Sequence, residues 1–74
     1  MLRNSLKQHR ARCDLTQEVL AGDVGVTRQT IIAVEKGRFN PSVALALRIA
    51  RRLDVSVDEL FQLDDEGPTD RKGG

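Results

Sequence analysis

Arg28 and Gln29 stand side by side at the head of an amphipathic segment, directly after Thr27. A guanidinium can chelate O6 and N7 of guanine, and a carboxamide can pair with N6 and N7 of adenine. Both residues can therefore read the edge of a base pair. The segment from Arg28 to Lys36, taken as a helix, is about 13.5 Å long at 1.5 Å per residue. That length suits a major groove about 12 Å wide, with the N-terminal side chains at the base edges. Ala33, one turn after Gln29, is small enough to leave room for the groove floor or a thymine methyl. Ile32 lies near the same side and doubles as partly buried packing.

Catalytic chemistry is poorly provided for. The chain has one His (His9), one Cys (Cys13) and no Tyr or Trp. Ser5, Ser42 and Ser56 stand at helix starts, and there is no glycine-rich phosphate loop or metal-ligand spacing. No enzymatic activity, cofactor or metal is expected. His9 reads as a partly buried structural histidine and Cys13 as filler at a helix end. A lone cysteine makes no internal disulfide, which fits a reducing cytoplasm.

The elements that must position Arg28 and Gln29 follow from the punctuation. Leu2 to Arg12 is rich in helix formers and stops around Cys13-Asp14. Thr16 caps a second helix carrying Val19, Leu20 and Ala21, and Gly22-Asp23-Val24-Gly25 breaks it. Thr27 caps the third helix, with Gly37 as its C′ residue. Pro41 is expected in the first turn of a fourth helix, after Asn40 as its cap, running to about Leu53. Leu45, Ile49, Ala50 and Leu53 give that helix its buried side, and Arg48, Arg51 and Arg52 its wet one. Ser56 caps a last short helix from Val57 to Phe61 or slightly beyond. From Asp64 onward the chain has no apolar residue and reads as a disordered acidic tail, residues 64–74.

This is an all-α reading, and 74 residues leave room for one core only. With 3% aromatic residues, the chain has too little β-forming weight for an all-β domain. Its longest apolar runs are far shorter than the roughly 18 residues a membrane span requires, so no membrane association is expected. The net charge of +1 hides an asymmetry. Residues 1–52 carry ten Lys/Arg against four acids, and residues 53–74 two against seven. A basic body for a polyanion and an acidic end directed away from it would look like this.

The second and third helices have the layout of a helix-turn-helix. Ala21 permits a close crossing, Gly25 supplies a residue tolerant of positive φ, and Val26, Ile31 and Val34 pack toward Leu20. The strings Leu15-Thr16-Gln17 with Leu20-Ala21, Gly25-Val26-Thr27-Arg28-Gln29-Thr30-Ile31, Glu35-Lys36-Gly37 and Asn40-Pro41-Ser42 resemble the XRE family of Cro/C1-type helix-turn-helix regulators. Ile49-Ala50, Leu53, Val55-Ser56 and Asp58-Glu59-Leu60-Phe61 fit the same pattern. The likeness covers about residues 5–61 and is greatest to short stand-alone members.

That resemblance implies a compact five-helix, lambda-repressor-like DNA-binding domain over 5–61. It also implies a homodimer that binds double-stranded operator DNA, most often as a repressor. On this reading Arg28 and Gln29 contact bases or adjacent phosphates. Gln17, Thr27, Thr30, Lys36 and Arg38 contact the phosphate backbone, and Thr27 is also needed as a cap. Arg10 and Glu35 match family positions that pair and clamp the first helix to the third. Val43 and Ala44 stand where some relatives present a basic residue to the minor groove, so minor-groove reading is not expected. A second reading is a protein-binding module, such as the antitoxin half of a toxin–antitoxin pair, with the acidic tail as its partner-binding segment. The dimer surface falls on the end of the fourth helix or on Val57 to Leu63, where Leu63 exceeds what a small core can bury.

Overall fold

The computed structural model describes residues 2–63, and the acidic segment expected to form a tail lies outside them. Five helices and one two-stranded ribbon occur among the described residues: β1 (Leu2–Asn4), α1 (Leu6–Arg12), α2 (Gln17–Val24), α3 (Arg28–Glu35), α4 (Val43–Leu53), α5 (Val57–Leu60) and β2 (Phe61–Leu63). β1 and β2 pair antiparallel, with Leu2 opposite Leu63, Arg3 opposite Gln62 and Asn4 opposite Phe61.

The ribbon corrects the expectation of a helix beginning at Leu2. Backbone groups of Leu2–Asn4 are taken up by a strand nearly sixty residues away, and α1 starts only at Leu6. The Asn4 carboxamide manages the transition. Its Oδ1 accepts from the Leu6 N–H at 3.0 Å, satisfying a first-turn donor, while its Nδ2 donates to the Val34 carbonyl of α3 at 2.9 Å. Ser5 donates through its N–H to the Leu60 carbonyl and through its hydroxyl to the Glu59 carbonyl. The segment leading into α1 is thereby fastened to the end of α5. For the same reason Phe61, expected at the end of a helix, lies in a strand.

Four helices open on hydroxyl caps. Thr16, Thr27, Ser42 and Ser56 each accept from the backbone N–H three residues on. Ser42, and not Asn40, caps α4, so Pro41 stands just outside the helix and not in its first turn. A serine hydroxyl is already in place there to take the Leu45 N–H, and proline fits equally well one step earlier, where no donor is needed. Ser56 and Glu59 form a reciprocal capping box. The Ser56 N–H that the Glu59 carboxylate accepts, and then the Ser56 hydroxyl, hold that carboxyl below its ordinary pKa, with the charges of His9 and Arg12 acting in the same direction.

The C-terminal ends repeat one solution. Asp14, Gly25, Gly37 and Asp54 all have positive φ. The following residue's N–H reaches back five positions each time: Leu15 to Arg10, Val26 to Ala21, Arg38 to Ala33 and Val55 to Ala50. This is the Schellman closure, which satisfies carbonyls the helix leaves open. Aspartate tolerates the left-handed region better than most residues, so two of the four ends manage without glycine.

The core gathers Leu6, Leu20, Ile31, Ile49 and Leu60, all fully buried, with Ala21, Val24, Val34, Leu45, Ala46, Ala50, Leu53 and Phe61 around them. Each helix contributes to this core. Along α4 the buried positions recur as one stripe, and Arg48, Arg51 and Arg52 lie on the exposed side. Arg52 reaches back to Asp23 of α2 at 2.8 Å, but both side chains are well exposed, and such pairs contribute less than about 1 kcal/mol.

Gly22 does not break α2 as its type suggests. The helix continues through it to Val24 and closes at Gly25. Packing of Leu20, Ala21 and Val24 outweighs the roughly 1 kcal/mol that an interior glycine costs. Nothing lies within 4 Å of a Cβ added at Gly22. Gly22→Ala is therefore expected to raise stability by about 0.5–1 kcal/mol. Gly25→Ala, forced to φ 81°, is expected to lower it by about 1–2 kcal/mol. Urea denaturation of the two variants checks both signs.

Candidate nucleic-acid interface

The N-terminus of α3 carries Arg28 and Gln29 on its exposed surface, just past the Thr27 cap. Neither side chain makes a hydrogen bond or ion pair among the described residues, so their donors face solvent. Thr27 Oγ1 accepts from the Thr30 N–H at 3.2 Å and lies 3.1 Å from Thr30 Oγ1. The two threonines thus form one capping unit and are not independent side chains. Ala33 is partly buried on the same helix. Lys36, the C-cap residue, and Arg38, beyond the closure, are both exposed at the far end.

Behind this surface lies a partly buried polar cluster centred on Glu35. Arg10 Nε donates to Glu35 Oε2 at 2.8 Å, and Arg10 Nη2 to Oε1 at 3.4 Å. Gln17 Nε2 donates to the same Oε1 at 3.0 Å. Arg10 Nη1 donates to the Leu15 carbonyl at 2.8 Å, in the loop between α1 and α2. The side chains of Arg10 and Glu35 are 14% and 8% exposed, so this ion pair is largely removed from water, and its hydrogen bonds offset the desolvation of both charges. Gln17 is consequently held in place: one of its two amide N–H groups donates to Glu35, and the other makes no hydrogen bond among the described residues.

Shallow clefts connect these residues. Arg28, Gln17, Arg10, Thr16 and Glu18 line one. Gln17, Glu35, Lys36, Ile32 and Lys7 line the next. The geometry therefore brings Gln17, Arg28, Arg10, Glu35 and Lys36 into adjoining clefts, whereas Gln29 and Arg38 project from the surface outside them. Lys7 is the addition that reasoning from the sequence missed. It precedes Arg10 by three residues, so the helical repeat puts both on one side of α1. Placing Arg10 against Glu35 carries Lys7 along with it. Among the described residues there is no group of three or more His, Cys, Asp or Glu able to hold a metal, and no helix long and apolar enough to cross a membrane.

A family model described as helix-turn-helix, HTH_3, matches residues 6–60. The chain belongs to this family. The XRE-type resemblance carried by its motifs is thus confirmed, together with the compact five-helix architecture. Among relatives of this helix-turn-helix protein, an HTH-type transcriptional regulator of Methanothermobacter thermautotrophicus is 54% identical over 67 residues, which is 89% of this chain and 97% of that one. The cryptic phage CTXphi transcriptional repressor RstR of Vibrio cholerae is 32% identical over 72 residues, covering 97% of this chain and 64% of RstR. Among solved structures, the restriction-modification controller protein C.AhdI from Aeromonas hydrophila superposes with a TM-score of 0.68 at 35% identity, over 73% of this chain and 82% of that one.

The ion pair generates its own test. Glu35→Ala strands a largely buried guanidinium and is expected to cost on the order of 3 kcal/mol. In a double-mutant cycle with Arg10→Ala, measured by chemical denaturation, the second substitution should add much less than it costs alone. Equal, additive losses would show that the two side chains do not act as a clamp.

Proposed function

We propose that this helix-turn-helix protein is a sequence-specific DNA-binding transcriptional regulator that inserts α3 into the major groove. The observation that carries this reading is that Arg28 and Gln29, both exposed, make no hydrogen bond or ion pair among the described residues, while Gln17, bonded to Glu35, shares a cleft with Arg28. Ala33 offers a small contact deeper in the groove. Gln17, Thr27, Thr30, Lys36 and Arg38 take phosphates, which fix the register without reading sequence. Likeness to regulators, one of them a repressor, supports repression: a protein seated on an operator occludes it.

A helix of eight residues reads only a few base pairs, so the chain acts as a homodimer on a near-palindrome with half-sites about 34 Å apart. The surface best suited to the second copy is apolar. Val43 and Leu63 are 78% and 73% exposed, and Leu47 is 51% exposed. A groove lined by Leu2, Pro41, Val43, Ala46, Leu47, Val57 and Phe61 lies among them. Leu63 faces Leu2 across the ribbon, on the side that carries Phe61. This face takes in Val57, Phe61 and Leu63, from one of the two surfaces that the sequence suggested for a dimer, but joins them to the start of α4 and not to its end, which was the other.

Fluorescence anisotropy on the protein's own upstream DNA and on a scrambled duplex tests the DNA reading. Arg28→Ala should erode discrimination by about 1–3 kcal/mol, while Lys36→Ala should weaken both duplexes alike. Failure of the parent protein to bind any duplex at low salt would overturn the assignment. For the dimer, Leu47→Asp should shift sedimentation-equilibrium mass toward the monomer and leave the helical circular dichroism intact. An unchanged dimer mass would place the interface elsewhere.

A further inference from the structure

Lys7 belongs to α1, outside the helix-turn-helix unit, yet it shares a cleft with Gln17, Ile32, Glu35 and Lys36. On one side this cleft meets the one that contains Arg28 and Arg10, through their common residue Gln17. On the other, Glu35 and Lys36 continue into a third cleft bordered by Gly37 and by Leu2, Arg3 and Asn4 of β1. Through these shared residues the three shallow clefts adjoin one another, from the head of α3 past the start of α2 to α1 and the ribbon.

The charges along these clefts do not cancel. Glu35, the acid at their centre, already receives two hydrogen bonds from Arg10 and one from Gln17. Lys7 and Lys36 are exposed and make no ion pair among the described residues. Glu18 sits at the opposite end, in the cleft that also holds Arg28. Ile32, the remaining wall of the Lys7 cleft, supplies hydrocarbon that can lie against a sugar without competing for hydrogen bonds.

We propose that Lys7, together with Lys36 and the free N–H of Gln17, forms a phosphate seat, so that α1 holds the backbone of one DNA strand alongside the groove entered by α3. This inference rests on the DNA-binding reading above and extends it to a residue outside the recognition unit. Two ammonium groups and an amide donor converging on a cleft whose only acid is neutralised suit a phosphodiester oxygen. The contact carries no base information, so it raises affinity for every sequence equally.

The experiment is anisotropy of a fluorescein-labelled random-sequence duplex across a salt series, with the full chain and three exposed-residue variants. Lys7→Gln should make the slope of log K against log salt shallower by about 0.9, the share of one phosphate. Across a fourfold rise in salt that variant should lose about 3.5-fold less affinity than the parent. Lys7→Arg should keep the parental slope, and Arg51→Gln, on α4, should leave it unchanged. Thermal melts of the same samples report any change in folding.

An unchanged slope in Lys7→Gln overturns the phosphate seat while leaving the regulator reading intact. An equal loss in Arg51→Gln also overturns it, because the effect would then be one of net charge and not of place. Absence of salt-dependent binding by the parent protein would overturn both readings together, a result distinct from the other two.

Discussion

The Glu35 carboxylate sets the relative positions of three helices. Hydrophobic burial draws Leu6, Leu20 and Ile31 together, but it is non-directional and would accept a helix rotated or slid by a fraction of a turn. A largely buried carboxylate is less forgiving, because each lone pair left without a donor costs free energy. Glu35 is satisfied only when Arg10 of α1 and Gln17 of α2 arrive together, and Arg10 in turn anchors the intervening loop through the Leu15 carbonyl. The core provides cohesion and the carboxylate provides register. Gln17, Arg28 and Lys36 share one side of the molecule because this single group admits few other arrangements.

Much of the fold was legible in local chemistry. A hydroxyl residue ahead of an apolar-periodic segment announced α2, α3 and α5, and the left-handed closures at Gly25 and Gly37 were readable from residue type. Where reading failed, a non-local interaction had overruled a local preference. Leu2–Asn4 has helical composition around it, and only a partner strand at Phe61–Leu63 makes it extended. Such a short ribbon has no periodicity to betray it. Gly22 is a helix breaker by type that tertiary packing keeps helical. Pro41 and Ser42 compete for the same boundary, and propensity alone does not choose between a proline in the first turn and a proline just before the cap.

The interface was legible to a different degree. Arg28 and Gln29 stood out as candidates by residue type at the head of a helix, and the Arg10–Glu35 pair by its match to family positions. The bond from Gln17 to Glu35 did not, since it spans eighteen residues and depends on how α2 crosses α3. Lys7 was hidden for another reason: it looks like any solvated lysine until Arg10 fixes the azimuth of α1. The basic character of residues 1–52 was visible in bulk, and three of the acids after that point, Asp54, Asp58 and Glu59, lie at the end of α4 and in α5, with Glu59 occupied in its capping box.

The ribbon bears on the order in which the molecule assembles. Contacts within and between successive helices join residues close in sequence, and such contacts form early because little chain entropy is lost in closing them. The pairing of Leu2 with Leu63 closes a loop around nearly the whole described chain. Its few hydrogen bonds cannot repay that entropy until the helices have brought the two ends within reach. The ribbon is thus the last clasp to close and the first to open. Because Asn4 bonds to the Val34 carbonyl of α3, fraying of the clasp would also loosen the far end of that helix.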